Sequence, residues 1–167
     1  MTNAAGGAAH WGKVYAGRRG GQVSWFQDRP GPSLALLGLI GATHGSAVID
    51  IGGGASRLVD ALLARGFSDV SVLDLSAAAL EAARARLGAP GERARWIVAD
   101  MTTWTPARAY DVWHDRAALH FLTDPADQRA YVARLRAALK PGGCAILATF
   151  APDGPEKCSG LPVRRHD

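Results

Sequence analysis

Val48-Ile49-Asp50-Ile51-Gly52-Gly53-Gly54-Ala55-Ser56 is the stretch on which the fold of this 167-residue chain turns. Residues 47–51 read as a short buried strand, apolar and β-branched with one carboxylate set into it. Three glycines follow, and a backbone without Cβ atoms turns tightly and lets a ligand come close to its N–H groups. Ser56 then opens a helix over 56–65 that Gly66 stops. Strand, glycine turn and helix in direct succession form the first half of a β-α-β unit, the place where a doubly wound sheet receives a nucleotide.

The same alternation continues outward. Residues 70–74 read as a second strand, and Ser76 caps a helix that reaches Leu87 before Gly88 and Pro90. Residues 95–99 and 110–114 read as the third and fourth strands. Asp124-Pro125 opens a long helix ending at Lys140, and 144–150 is a fifth strand. Upstream, two helices are expected, one over 10–16 and one over 33–42 with Ser33 as its cap. From Ala151 onward the chain is rich in Pro, Gly and charge and reads as loop. Strands alternating with helices imply an α/β fold, a Rossmann-like three-layer sandwich with a mostly parallel sheet of about five strands. The expected division is a helical cap segment over 1–45, a core over 46–150 and a tail over 151–167.

Spacing narrows the ligand. A dinucleotide fingerprint of the form G-x-G-x-x-G, counted from Gly52, needs glycine where Arg57 stands. A phosphate loop needs Gly-Lys-Ser/Thr, which does not follow. A nucleophile elbow centred on Ser56 needs glycine where Leu58 stands. The turn itself suits either a pyrophosphate or the carboxylate end of S-adenosylmethionine (SAM), because a helix N-terminus adds partial positive charge. Asp74 ends the second strand, where a carboxylate accepts hydrogen bonds from ribose hydroxyls. Asp100 ends the third, followed by Met101, an acceptor for an adenine amino group beside an apolar surface for the ring. Glycine turn, Asp74 and Asp100 at successive strand tips form a line that fits an adenosine.

Composition excludes other classes. Hydrophobic residues at 48% and charged residues at 20% are ordinary for a globular protein. No apolar run reaches the roughly 18 residues of a membrane span, and the N-terminus lacks a signal-peptide pattern, so a cytoplasmic enzyme is expected. Cys144 and Cys158 are too few for a disulfide framework or a zinc site. The net charge of +4 is mild and scattered, which disfavours nucleic acid as a partner.

With these residues in place, the chain resembles the class I SAM-dependent methyltransferases. Val48 to Ser56 is similar to their first motif, Leu73-Asp74-Leu75 to their acidic second-strand end, and Val98-Ala99-Asp100-Met101 to the third. Leu139-Lys140-Pro141-Gly142-Gly143 resembles their late turn. The resemblance implies sheet order 3-2-1-4-5 and SAM as cofactor, with S-adenosylhomocysteine as product. It implies Asp50, Gly52, Gly53, Gly54, Ser56, Asp74, Leu75, Asp100 and Met101 as cofactor-binding residues. Ser56, where many members carry a third glycine, resembles a subgroup that methylates lysines of translation factors. Trp113-His114-Asp115-Arg116-Ala117-Ala118-Leu119 resembles thiopurine methyltransferases. The acceptor, a small thiol or amine or a protein lysine, stays open between these. The family's sheet continues past its fifth strand with a strand hairpin that has no counterpart here. A truncated form, or a homodimer through the exposed fifth strand, is expected on that ground.

His114, Asp115 and His120 follow the fourth strand, beside the expected methyl position. Asp115 is the first candidate for acceptor contact and His120 the candidate base, its ordinary pKa lying near neutrality. Trp25 is a candidate for a cation–π contact with the sulfonium, or else an anchor of the N-terminal segment. No metal is expected. Against the active enzyme stand two alternatives, a SAM-binding module without catalysis and a nicotinamide-dependent oxidoreductase.

Overall fold

The computed structural model describes Gly7, residues 10–12 and residues 28–166; Trp25 and most of the first expected helix lie outside them. Five parallel strands form one sheet: β1 (Val48–Ile51), β2 (Val70–Asp74), β3 (Ala94–Val98), β4 (Tyr110–Arg116) and β5 (Leu139–Ala148). Their order is β3-β2-β1-β4-β5, as the resemblance implied. Helices α1 (Gly31–Leu39), α2 (Leu58–Ala64), α3 (Ala77–Leu87) and α4 (Pro125–Ala138) precede or connect the strands.

β1 and β2 are buried along their whole length, because both of their faces are covered. On one face Val48, Val70, Val72 and Val112 join Leu37 of α1, Leu58 and Leu62 of α2 and Leu80 of α3. On the other, Ile49, Ile51, Leu73 and Trp113 join Tyr131 and Ala138 of α4, with Phe121 and Trp11. Side chains alternate between faces along a strand, so β1 sends Asp50 to the first side and β4 divides His114 from Asp115.

Three expectations are corrected. The helix expected over 33–42 starts earlier, at Gly31, and Ser33 is no cap. Pro32 fits the first helical turn, where its missing N–H has no partner to lose, so Ser33 falls inside the helix and is buried against the sheet. The long helix expected to reach Lys140 ends at Ala138, and β5 begins at Leu139, already extended with φ −82° and ψ 137°. Lys140 precedes Pro141, whose ring disfavours helical backbone one residue earlier. Finally, the tail is not all loop. β6 (Lys157–Cys158) and β7 (Leu161–Pro162) form a two-stranded antiparallel hairpin. Ser159 and Gly160, with φ of 52° and 82°, supply the two left-handed residues such a turn requires.

Beyond the hairpin the chain returns to the carboxyl ends of β4 and β5. Arg164 donates its N–H to the His120 carbonyl at 2.7 Å and His166 to that of Phe150 at 2.9 Å. β5 forms one edge of the sheet, with Leu147 46% exposed. Among the described residues no helix is long and apolar enough to cross a membrane.

Candidate active site

The glycine turn sits at the carboxyl end of β1, and each glycine is required for its own reason. Gly52 has φ +67°, and a Cβ there would lie 2.8 Å from Ala118 Cβ. Its N–H donates to the Leu73 carbonyl at 2.7 Å, which ties the turn to β2. A Cβ on Gly53 would lie 2.4 Å from Asp50 Oδ2, and one on Gly54 would lie 2.7 Å from both Asp74 Oδ2 and Ala79 Cβ. Two carboxylates therefore crowd the turn from its own strand and from the next. Ser56 closes it, its Oγ accepting the Leu58 N–H at 3.0 Å where α2 begins.

Asp74 stands at the tip of β2, nearly buried. Its Oδ2 accepts the Gly54 N–H at 3.0 Å and its Oδ1 the Ser76 N–H at 2.7 Å. Burial pushes its carboxyl above the usual range, against those two bonds. Each oxygen keeps a further lone pair for a ligand. The expected cap forms, Ser76 Oγ accepting the Ala79 N–H at 3.2 Å. Asp100, beyond β3, turns the chain: its Oδ1 accepts from the N–H and the hydroxyl of Thr102, at 2.7 and 2.6 Å. Met101 is buried and Leu75 half-buried in one apolar cluster beside them.

The residues after β4, grouped by sequence, are separated in space. His114 is buried on the Asp50 side. Its Nδ1 lies 2.7 Å from Asp50 Oδ1 and its Nε2 2.9 Å from Ser33 Oγ. Asp50 Oδ2 is buried with no partner. Asp115 is fully buried on the other side, and both of its oxygens are engaged. They accept the N–H groups of Ala118 and Leu119, and the Tyr131 hydroxyl at 2.7 Å, which in turn accepts from Trp113 Nε1 at 2.8 Å. Burial, only partly offset by these bonds, raises the Asp115 pKa to about 6. Burial and the charge on Asp115 also push the Tyr131 phenol up. This geometry makes Asp115 a brace between β4 and α4 and leaves no free oxygen facing an acceptor.

His120 lies in a short 3₁₀ turn, Leu119–Phe121, and neither of its ring nitrogens has a partner. Phe121 and Phe150 flank the ring at 4.3 and 4.9 Å between centroids, and Trp11 packs edge-on against Phe121 at 5.0 Å. Burial, with a smaller contribution from His166, lowers its pKa to about 4. Ala117 holds φ +70°, a left-handed conformation that costs a non-glycine residue roughly 1–2 kcal/mol. The following residue, Ala118, lies against Gly52. Alanine carries no sequence signal for such a conformation. Ser33, Trp113 and Tyr131 were missed for a similar reason, since each is defined by a partner distant in sequence.

A parallel sheet in this order, with a glycine turn after its first strand and acids at the tips of the next two, defines the Rossmann-like methyltransferase fold. Residues 48–143 match the family model described as a methyltransferase domain, and the chain belongs to that family. It is 40% identical over 131 residues to the trans-aconitate 2-methyltransferase of Methylobacterium radiotolerans, covering 77% of this chain and 46% of that protein. It is 30% identical to the enzyme of the same name from Delftia acidovorans, covering 85% and 51%. Among solved structures it resembles SAM-bound CalS10, an amino pentose methyltransferase from Micromonospora echinaspora. That match has a TM-score of 0.62 and 30% identity, and covers 84% of this chain and 57% of the other. The chain thus spans about half the length of the curated relatives it matches.

Proposed function

We propose that this chain is the cofactor-binding core of a SAM-dependent methyltransferase that acts on a small-molecule acceptor. The observation that carries the reading is Asp50 Oδ2, buried and unpartnered at the lip of the glycine turn. A buried carboxylate oxygen without a donor is costly. An amino-acid ammonium would satisfy it, whereas the pyrophosphate of a dinucleotide would meet repulsion from both Asp50 and Asp74. The turn over Gly52, Gly53 and Gly54, which carries no side chain, gives that amino-acid end a close approach to Asp50. Asp74 fits the ribose, and Asp100 with Leu75 and Met101 fits the adenine.

When bound, the cofactor supplies a methyl group already activated on a sulfonium; the acceptor lone pair forms the new bond and a neutral thioether leaves. What remains for the protein is to align and to exclude water, worth on the order of 7–11 kcal/mol in good cases. The Asp115 brace fixes the backbone after β4, and the Ala118 contact ties that backbone to Gly52. His120 is neutral at pH 7 and, with its pKa lowered to about 4, a weak base. An acceptor that arrives with a free lone pair, such as a carboxylate, suits this site better than a protonated amine. The relatives named for trans-aconitate support the same choice.

Calorimetry with SAM and with NAD tests the reading. SAM is expected to bind, and Asp74→Ala to weaken it by about 10- to 100-fold, the loss of hydrogen bonds to a charged group. A preference for NAD would overturn the assignment. Transfer of a tritiated methyl group into carboxylates (trans-aconitate among them), amines and thiols then tests the acceptor; binding without transfer would leave a SAM-binding module.

A further inference from the structure

β1 and β4 are neighbours in register, with Asp50 beside His114 on the same face of the sheet. His114 bridges two elements there, 2.7 Å from Asp50 Oδ1 and 2.9 Å from Ser33 Oγ in α1, and all three side chains are buried. We propose that His114 is a positioning residue for the cofactor: it holds Asp50 by Oδ1 alone, so that Oδ2 stays open toward the glycine turn. This inference rests on the SAM reading above.

The bonding is determined by elementary chemistry. An ionised carboxylate only accepts, so Nδ1 carries the proton and donates to Asp50. Nε2 lies 2.9 Å from the Ser33 hydroxyl, a group that pairs with a ring nitrogen as donor or as acceptor. Ser33, held in α1, fixes the plane of the imidazole so that Nδ1 stays aimed at Asp50 Oδ1. With one oxygen held from behind, the carboxylate cannot rotate to engage both oxygens in hydrogen bonds within the protein. The consequence is visible in Oδ2, which is unpartnered and 2.4 Å from where a Gly53 Cβ would stand. Ser33, His114 and Asp50 are linked in the order of a hydrolase triad. Ser33 is only 3% exposed, however, and packed against the sheet, so it is not available as a nucleophile.

Two amide side chains separate the two arms of the relay, because an Asn amide nitrogen occupies roughly the place of Nδ1 and a Gln amide nitrogen that of Nε2. His114→Gln is expected to lower SAM affinity by about 10-fold, the weakening that follows loss of one hydrogen bond to a charged group. His114→Asn, which can still donate to Asp50, is expected to recover most of that loss, with both variants equally destabilised in urea. Equal SAM affinities for the two variants would overturn the role of His114. So would a histidine nitrogen NMR spectrum of the wild-type protein placing the His114 proton on Nε2, a readout that needs no variant to fold. Failure of the wild-type chain to bind SAM removes the cofactor reading and this inference together. Wild-type binding with no difference between Asn and Gln removes only the inference.

Discussion

Replacing Asp115 by asparagine should change how stability depends on pH, by an amount the structure sets. The Asp115 carboxyl is raised from 3.8 to about 6, chiefly by burial, against the Tyr131 hydroxyl and the N–H groups of Ala118 and Leu119. Between those two values the folded chain holds this proton more firmly than the unfolded chain does. Stability from this group is therefore full below about pH 4 and is lost as pH rises through 6. The size of the loss is about 3 kcal/mol, from 1.36 kcal/mol for each pH unit of the difference. Asparagine keeps the shape and one acceptor oxygen but does not ionise, so its curve lacks this component. It turns an amide toward the Tyr131 hydroxyl, a misfit of about 1 kcal/mol that does not vary with pH. The assay is urea unfolding of both proteins, followed by tryptophan fluorescence between pH 4 and 7.5. The wild-type advantage should fall by about 2.5 kcal/mol across that range, because the unfolded carboxyl is already partly ionised at pH 4, a relative midpoint shift of about 1.2 M for a typical urea slope. Subtracting one protein from the other cancels every other titrating group. A flat difference, or one that grows with pH, would mean instead that the donors around Asp115 outweigh its burial.

Glycine substitutions should separate the site from the scaffold. Gly53→Ala places a Cβ 2.4 Å from Asp50 Oδ2 and should cost about 1–3 kcal/mol in thermal unfolding, whereas Gly38→Ala in α1 meets nothing within 4 Å and should stabilise by about 0.5–1 kcal/mol. Equal effects at the two positions would mean that the turn tolerates a side chain. His120→Phe removes two unpartnered buried nitrogens and should raise stability by about 1 kcal/mol while leaving transfer to a carboxylate acceptor unchanged. A variant that is more stable but slow in transfer would show that His120 takes part in the reaction.

The alternation of strands and helices was legible because burial on both faces leaves a signature in local sequence. Val48 to Ile51 and Val70 to Asp74 are short apolar runs bounded by glycine or turn residues, and the observed strands keep to them. Ser76 was legible as a cap because capping is a local bond, three residues long. Boundaries drifted where a proline acted at a distance of one or two residues, at Pro32 and Pro141. The hairpin over Lys157–Cys158 and Leu161–Pro162 escaped because its signal is a single Ser159-Gly160 pair in a polar stretch.

The order of elements, the glycine turn and the acids at the tips of β2 and β3 can be read along the chain, since each depends on residues close in sequence. What Asp50, His114, Asp115 and His120 face is set by the packing of distant segments. Strand register and the pleat send His114 to Ser33 and Asp50, and Asp115 to Tyr131. Neighbours in sequence thus end on opposite sides of a sheet, in different surroundings, and a side chain's protonation and free valences are set by those surroundings.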